Sequence, residues 1–389
     1  MDRQEKMWRL ETELKLRFGV TAAVKFFRAP GRVDLMGSHT DYNDGHILAA
    51  TVDREMLAAA SARDDRLICF YSLNTEKEVR VSRDQIVFAK EHGWANYPKG
   101  VIKELLERRV SVPGFNFVVH GDIPVGGNLS SSAALEAATC EAGLGMAKAT
   151  LPAWDKVKLC KQAENEFMGL PCGIMDQFTV IMGGQEKALL LDCRSLAFEA
   201  IPFAGERAVL VVIDSGLGRE LVAGKYAERV KQCQAAVAVL ASHHPKIKAL
   251  RDAGLEDLER ARTELGDVLY RRAYHVVSED LRVIKAGEAM KAGDLAGLGR
   301  IMEEGYQSCR DGYENSTPEL DLLHDLAGEG RGVFGVRICG AGWGGCLLAL
   351  VEKDKALELG PAIAEKYREK TGRQVQTWVV TPSPGAGPV

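Results

Sequence analysis

A row of polar side chains stands early in the chain, within the stretch GRVDLMGSHTDYNDG at positions 31–45. A short apolar run ends there, and hydroxyl, imidazole, carboxylate and phenol groups follow one another from Ser38 to Asn43. Side chains of these types can donate and accept several hydrogen bonds within a small space. The row is therefore a candidate ligand-binding loop.

A loop rich in glycine and serine follows in the stretch GDIPVGGNLSSS at positions 121–132. Gly126 and Gly127 make its backbone permissive, and the serines lead into AALEAATCEA, whose residues favour a helix. A helix N-terminus behind a glycine loop can bind phosphate, and a serine hydroxyl can face a magnesium ion. The loop lacks the lysine of a Walker A motif. Taken alone, the same residues fit a capped helix after a turn equally well.

Two carboxylates in apolar surroundings lie downstream of that loop. Glu164 stands beside an apolar stripe at helical spacing, formed by Val157, Cys160, Ala163 and Phe167. Asp176 follows a tight turn and lies among apolar residues in the stretch GIMDQF. A buried charge is costly unless a cation or strong donors accompany it. Either acid alone could be structural or a helix cap, but the pair downstream of an anion loop favours a functional site.

Mixed strands and helices must position these groups. Short apolar runs predict strands at HILAATVD, RLICFYSL, FNFVVHGDI, KALLLDC, AVLVVIDSG and TWVVTP. Helical patterns dominate from about 130 to 168 and from about 217 to 325, and RICGAGWGGCLLALV reads as a glycine loop running into a strand. Because strands and helices do not alternate regularly, the pattern favours an α+β fold over a doubly wound α/β fold.

The length of 389 residues suits two domains. We place the boundary within EAIPFAGERAV, which gives a first domain of residues 1–205 and a second of residues 206–389. The chain starts with an amphipathic helical pattern. It ends with TPSPGAGPV, which we expect to be disordered from about residue 382 because large apolar residues are nearly absent there.

The composition argues against several classes of protein. A net charge of −4 without clustered basic residues argues against nucleic-acid binding. No apolar run reaches the roughly 18 residues of a membrane span, and the charged N-terminus is not a secretory signal. The nine cysteines are scattered without a CxxC pair, as expected for reduced thiols in the cytoplasm. The oligomeric state is left open, with a monomer favoured.

Four ordered motifs, GRVDLMGSHTDYNDG, PVGGNLSSSAALE, CGIMDQF and GAGWGGC, resemble those of the GHMP kinases. The first resembles the galactokinase branch in particular, as do WANYPKGVI, RRAYHVVSEDLRV and YENSTPELDLL, so the resemblance covers nearly the whole chain. It implies two α+β domains, the first like ribosomal S5 domain 2 and the second ferredoxin-like, with the active site in the cleft between them. It also implies ATP, Mg²⁺ and phosphorylation of a monosaccharide at its anomeric C1 hydroxyl.

The resemblance implies roles for the residues around the sugar. Asp176 would accept the proton of the attacking hydroxyl, and Arg32 would keep Asp176 ionised and offset charge in the transition state. The sugar would lie against Ser38, His39, Asp41, Gly173 and Tyr226. A row of short polar side chains suits a sugar because the hydroxyls of the ring point in several directions. Gly173 would let the backbone approach the ring.

The resemblance also implies the nucleotide and metal site. The phosphates would lie against the loop residues Gly126, Gly127, Asn128, Leu129, Ser130, Ser131 and Ser132. Ser132 and Glu164 would bind Mg²⁺, with Ser131 in place of Ser132 if the register differs by one residue. Trp94 and Tyr97 would dock the adenine, and the loop at 340–345 would close on the sugar and phosphates.

Several positions depart from the galactokinase pattern. Ser38 stands where glutamate is usual, so the sugar could be galactose or a relative altered at C6 or C2, such as galacturonate, L-arabinose or N-acetylgalactosamine. Asp34 replaces an asparagine and Asn128 a small residue. In the last glycine motif, Ala341 and Trp343 are unusual, and Ala341 would be strained if its position required a positive φ.

Two other functions are disfavoured. Some relatives are sugar- and ATP-sensing regulators without catalytic activity, but these lose part of the phosphate loop, whereas SSSAA and Asp176 are intact here. Mevalonate and homoserine kinases lack the His-Thr-Asp-Tyr motif of the early polar row.

Overall fold

The computed structural model describes residues 2–124, 128–217 and 222–389. Its α-helices are α1 (Arg3–Phe18), α2 (Asn96–Glu107), α3 (Ser131–Ala147), α4 (Ala153–Gln162), α5 (Met175–Met182), α6 (Val222–His243), α7 (Leu255–Arg260), α8 (Arg262–Lys291), α9 (Leu295–Gln307), α10 (Pro318–Gly328) and α11 (Ala356–Thr371). Its strands are β1 (Lys25–Met36), β2 (His46–Ala62), β3 (Leu67–Ser72), β4 (Lys77–Ser82), β5 (Phe115–Gly121), β6 (Lys187–Asp192), β7 (Phe198–Pro202), β8 (Ala208–Asp214), β9 (Val333–Cys339), β10 (Cys346–Glu352), β11 (Gln376–Val380) and β12 (Gly387–Pro388).

The first sheet has the strand order β12-β1-β2-β5-β3-β4, and β6 and β7 extend it from the far end of the long strand β2. Its pairs are antiparallel except for β3 with β5. Helix α3, rich in alanine, packs on β1 and β2, and α2, α4 and α5 pack around α3. Alanine and glycine on α3 allow the helix to lie close to the sheet. The six predicted strand segments all form strands.

The second sheet is antiparallel, with the order β11-β8-β10-β9, and α9, α10 and α11 pack on it. The chain leaves the first sheet after Pro202 and enters the second at Ala208. Buried side chains of β8 and β10 belong to the same apolar cluster as those of β1 and β2, so one core runs through both halves. The prediction of an α+β fold is confirmed.

The expectation of a disordered tail is wrong. Ser383 is buried, and its backbone and hydroxyl bond to Thr51 and Val52 of β2. Arg28 of β1 donates to the carbonyl oxygens of Pro384 and Gly385 at 2.7 and 2.9 Å. The last residues then pair with β1 as the short strand β12. Backbone hydrogen bonds, rather than large apolar side chains, hold this segment, which is why composition did not predict it.

None of the helices formed by the described residues has the length and apolar character that a membrane crossing requires.

Candidate active site

An arginine and an aspartate form the centre of the site. Arg32 donates to Oδ1 of Asp176 from Nε at 2.9 Å and from Nη2 at 2.6 Å. Ser130 donates its hydroxyl hydrogen to the other carboxylate oxygen, Oδ2, at 2.5 Å. Asp176 lies in the first turn of α5, where the helix dipole favours a negative charge. Three donors therefore hold the carboxylate of Asp176 in one orientation.

Local features of β1 and of the residues that directly precede α3 (residues 128–130, here called the serine loop) bring these groups together. The strand has an irregular register between Pro30 and Arg32, and the amide of Arg32 donates to the carbonyl oxygen of Leu129 at 3.1 Å. A Cβ at Gly31 would lie 2.9 Å from that same oxygen, so only glycine allows the loop to approach. Arg32 also donates from Nη1 to the carbonyl oxygen of Asn128. Burial alone would lower the pKa of Arg32, but Asp176 and other acids more than offset it, so the pKa is raised.

The serine loop leads into α3, which begins at Ser131. Asn128 and Ser130 both have a left-handed backbone, with φ of 55° and 57°. Residues other than glycine adopt this conformation at a cost, and such strain often marks functional loops. The hydroxyl of Ser130 donates to Asp176, and the role of Ser130 in binding phosphate stays a prediction. Gly126 and Gly127 lie outside the described residues.

A second buried carboxylate accompanies the predicted metal ligand. Gln177 donates from Nε2 to Glu164 at 2.6 Å and to Glu136 at 3.1 Å, and all three side chains are buried. Burial and then Asp176 raise the pKa of Glu164, whereas Ser132 lowers it by hydrogen bonding. Burial and then Glu164 raise the pKa of Glu136 well above its usual value. Glu136 was not predicted as a site residue from the sequence, although it follows Ser132 by one helical turn.

Glu164 lies in a π-helical turn, Ala163–Phe167, that directly follows α4. Such turns are rare and are common at functional sites. The turn places Glu164 beside Ser132, which fits the predicted pair of metal ligands in donor chemistry. Mg²⁺ prefers a few hard oxygen ligands together with water and phosphate. Within residues 2–124, 128–217 and 222–389, no three His, Cys, Asp or Glu side chains are arranged to hold a metal ion on their own.

The polar row forms the loop between β1 and β2, here called the sugar loop (residues 37–45). Ser38 is 2% exposed, and its hydroxyl has no hydrogen-bond partner in the described part of the chain. Asp41 lines the same cavity as Ser38. Burial and then Asp176 raise the pKa of Asp41 to about 6, although it accepts a hydrogen bond from the amide of Tyr42 at 2.9 Å.

His39 uses both of its ring nitrogens within the protein. Its Nε2 donates to the carbonyl oxygen of Ala341 at 3.0 Å, so Nδ1 accepts from the hydroxyl of Tyr42 at 2.9 Å. Burial lowers the pKa of His39 to about 4, which keeps the ring neutral. Tyr226 and Tyr313 lie against the ring, with centroids 5.6 and 4.6 Å away. A sugar hydroxyl would therefore have to share a nitrogen of His39.

Gly173 lies opposite Asp41. A Cβ at position 173 would lie 1.6 Å from Oδ2 of Asp41, so the glycine makes room for that carboxylate. The prediction gave Gly173 the different task of letting the backbone approach the ring. Both residues line the cavity, and the sequence showed neither their contact nor its tightness.

The glycine loop (residues 340–345) closes the site from the second half. The amide of Gly340 donates to Oδ1 of Asp34 at 2.6 Å. A Cβ at Gly345 would lie 2.1 Å from Nδ2 of Asn128, so this loop and the serine loop are in close contact. Among the residues of this loop other than glycine, Trp343 has a left-handed backbone, with φ of 55°, and Ala341 does not. Trp343 is held by its amide and indole hydrogens, which donate to the carbonyl oxygens of residues 315 and 314.

These groups surround a cavity of about 370 Å³ that lies between the two halves. It is lined from the first half by Arg32, Asp34, Ser38, His39, Asp41, Asn128, Leu170, Pro171, Cys172, Gly173, Met175 and Asp176, and from the second by Tyr226, Gly340 and Ala341. The structure therefore brings together all seven predicted catalytic and sugar-binding residues, with Asn128 of the serine loop.

The predicted adenine-docking residues lie away from this cavity. Trp94 is half-buried and packs edge to face on Phe70, with centroids 6.5 Å apart. Its indole nitrogen is buried without a hydrogen-bond partner in the residues that the structure describes. Tyr97 lies at the start of α2 and packs on the main core. Neither residue is among those that line the cavity, and their role in binding adenine stays a prediction.

Comparisons with known proteins show the family of the chain. Residues 96–184 match the family model of the GHMP kinases N terminal domain, residues 287–369 match GHMP kinases C terminal, and residues 13–62 match the galactokinase galactose-binding signature. The chain is 39% identical over 362 residues to a galactokinase of Roseiflexus sp. (strain RS-1), covering 93% of this chain and 92% of that protein. It is 37% identical over 381 residues to a galactokinase of Fusobacterium nucleatum, covering 97% and 98%.

Solved structures give the same result. The galactokinase of Lactococcus lactis, complexed with galactose, superposes with a TM-score of 0.93 at 31% identity, covering 98% of this chain and 99% of that one. A mevalonate kinase superposes with a TM-score of 0.69 at 19% identity, covering 92% and 99%, and shares the fold. The two-domain fold predicted from the motifs is thereby confirmed. The chain belongs to the galactokinase family of the GHMP kinases.

Proposed function

We propose that the chain is a sugar 1-kinase that transfers the γ-phosphoryl group of ATP to the anomeric C1 hydroxyl of galactose. The observation that carries this proposal is the position of Asp176. Its carboxylate is 29% exposed, lines the cavity beside the sugar loop, and is tied through Ser130 and Arg32 to the serine loop. A sugar hydroxyl and a phosphate can therefore meet at one carboxylate.

The chemistry assigned to the residues is as follows. The C1 oxygen attacks the γ-phosphorus, the bond from that phosphorus to the β,γ-bridging oxygen breaks, and ADP leaves. The hydroxyl proton passes to Asp176, which Arg32 and Ser130 hold in place. The guanidinium of Arg32 also offsets the negative charge that develops on the phosphoryl oxygens.

Orientation comes from the sugar loop and its neighbours. Ser38 and Asp41 offer hydrogen-bonding groups to the cavity, and Tyr226 of the second half also lines it. Fixing the ring on several hydroxyls holds the C1 oxygen in line with the phosphorus, which accounts for a large part of the rate in positioned reactions. The neutral ring of His39 adds one wall.

Ser132 and Glu164 would hold Mg²⁺, which when bound neutralises charge on the phosphates. The amides and hydroxyls around α3 would hold the phosphates. The nine cysteines are free thiols, which fits the reducing conditions of the cytoplasm, where we place the enzyme.

The test is a panel of sugars assayed for ATP consumption with Mg²⁺. It should include galactose, glucose, L-arabinose, N-acetylgalactosamine and galacturonate, with phosphorus NMR of the product to locate the phosphate. We expect the highest kcat/KM for galactose and a phosphate on C1. A higher kcat/KM for another sugar would replace galactose as the substrate, and phosphate on another carbon would contradict the proposal.

A further inference from the structure

The sugar loop is anchored at both ends by two adjacent acids of one helix in the second half of the chain. Helix α8 carries Glu279 and Asp280 where it packs against β1 and β2. Glu279 binds the start of the loop and Asp280 binds the residue that follows its end. The motif RRAYHVVSEDLRV, which contains both acids, was galactokinase-like but had no role assigned to it.

Glu279 accepts from two consecutive backbone amides. Oε1 receives hydrogen bonds from the amides of Gly37 at 3.0 Å and Ser38 at 3.1 Å. The position requires glycine, because Gly37 has φ of +109° and a Cβ on it would lie 2.9 Å from the carbonyl oxygen of His46. Two bonds to one oxygen therefore fix a backbone conformation that only a glycine adopts readily.

Asp280 holds the other end of the loop. Its Oδ1 accepts from the backbone amide of His46 at 2.5 Å and contacts Nδ1 of the same residue at 3.1 Å. A Cβ at Gly45 would lie 2.7 Å from that oxygen, so the loop passes directly over the carboxylate. A third side chain of α8, His275, donates from Nε2 to the carbonyl oxygen of Ser38 at 3.1 Å.

The charge of Glu279 is balanced within the core. Arg337 of β9 donates to it from Nη2 at 3.0 Å, and Arg282 donates from Nε at 2.8 Å. Glu279 and Arg337 are both fully buried. Burial alone would raise the pKa of Glu279, but the two arginines more than offset that and hold it below its usual value. Arg337 stands three residues before the glycine loop, so the same cluster connects both loops around the cavity.

We propose that Glu279 and Asp280 are positioning residues that set the affinity for the sugar by fixing both ends of the sugar loop. This rests on the proposed function, since it concerns the sugar side of that site. Neither acid lines the cavity. They act through the backbone of residues 37, 38 and 46, whereas the hydrogen bonds that hold Asp176 come from Arg32 and Ser130. The expected signature is a selective loss of sugar binding with nucleotide binding unchanged.

The test uses the full chain and three variants. Glu279→Gln weakens the bonds to the two amides, Asp280→Asn weakens those to His46, and Glu288→Gln is the control. Glu288 is exposed on the same helix, further along the chain than both acids. Sugar dissociation constants are measured calorimetrically without nucleotide, and ATP constants are measured separately. The sugar is the one that the wild type phosphorylates with the highest kcat/KM, so failure of the galactose assignment does not affect this test.

We expect Glu279→Gln and Asp280→Asn each to raise the sugar dissociation constant by about 10-fold, with ATP constants within about 2-fold of wild type and Glu288→Gln unchanged. Parallel losses of sugar and ATP binding, or no change in either, would overturn the proposal. If Glu279→Gln leaves Arg337 poorly paired and fails to fold, Asp280→Asn provides the test by itself, because Asp280 is 14% exposed and bonds to His46.

Discussion

The carboxylate of Asp41 fills the space in which a side chain at position 173 would stand, since a Cβ there would lie 1.6 Å from Oδ2. Gly173 has no positive φ, so the demand for glycine at this position is purely steric. The acid and the glycine come from distant parts of the chain and meet on the wall of the cavity. Their contact makes the position of Asp41 sensitive to a single methyl group.

Gly173→Ala should displace Asp41 and weaken sugar binding. We expect the KM for galactose to rise by about 10-fold or more, because one misplaced acceptor loses its hydrogen bond, while the KM for ATP stays near the wild-type value. Gly184→Ala is the matched control, since its nearest contact is the flexible side chain of Lys187 at 3.3 Å. Equal kinetics for the two variants would contradict the role given to the contact.

The raised pKa of Asp41 makes stability depend on pH. Its ordinary value of 3.8 becomes about 6 in the folded protein, so between these values the folded state binds the proton more tightly than the unfolded state does. This carboxyl therefore lowers the free energy of unfolding as pH rises through that window, by up to about 3 kcal/mol above pH 6.

Asp41→Asn should remove that pH dependence. We expect the variant to be about 1–3 kcal/mol more stable than the wild type at pH 7.5 and to lose this advantage by pH 4, as measured by urea unfolding. Galactose binding should weaken at the same time, because the amide replaces a charged acceptor. A variant that is less stable than the wild type at pH 7.5 would show that the carboxylate is not strained by burial.

Asp176→Asn tests the proton acceptor. We expect kcat to fall by about 1,000-fold or more, because the amide cannot take the proton and cannot balance the charge of Arg32. Nucleotide binding, followed by calorimetry, should change little. Asp325→Asn serves as the control, since that side chain is 71% exposed and lies on α10. A kcat close to wild type would remove Asp176 from the chemistry.

Glu164→Ala tests the metal site. The concentration of Mg²⁺ needed for half-maximal activity should rise by about 10-fold or more, since one of few protein oxygens is lost. Direct binding of Mn²⁺ with ATP, followed by electron paramagnetic resonance, should weaken in parallel. Glu166→Ala is the control, because Glu166 belongs to the same π-helical turn and its carboxylate bonds instead to Gln162. Unchanged metal dependence in Glu164→Ala would exclude it as a ligand.

Gly345→Ala tests the contact between the two loops. The new methyl group would meet Asn128 at 2.1 Å, at a position where φ is +74°, so the serine loop must shift. We expect the KM for ATP to rise by about 10-fold, with a loss of stability of about 1–3 kcal/mol. Gly328→Ala, which has open space around its Cβ, should show neither effect. An unchanged KM for ATP would show that the glycine loop does not affect nucleotide binding.

Much of the fold and the central pair of the site could be predicted from the sequence, because both depend on local patterns. Apolar runs marked the strands, and Glu164 could be singled out because a carboxylate beside an apolar stripe needs a partner. Arg32 and Asp176 were assigned through their motifs and are now seen bonded to each other. The sequence could not predict contacts between residues that lie far apart in the chain.

Glu279 illustrates this limit. It lies 242 positions from Gly37 in the chain, and nothing near it indicates that its acceptors serve two backbone amides of another element. Glu136 was hidden for a different reason, since an acid within a helix of ordinary composition gives no signal until its burial is known. Trp343, and not Ala341, has the left-handed conformation. The sequence could not show which of the two positions needs a positive φ, because the turn geometry of a glycine-rich loop is set by its neighbours.

The anchoring of residues 383–388 on β1 and β2 bears on any attempt to dissect the protein. An excised fragment ending near residue 205 would lack the carbonyl groups that receive Arg28 and the short strand that covers β1. Its uncovered strand edge would offer free amide and carbonyl groups to other copies of the fragment, a common route to aggregation. We therefore expect the first half to fold poorly by itself, and shortened versions for crystallisation should retain the last eight residues.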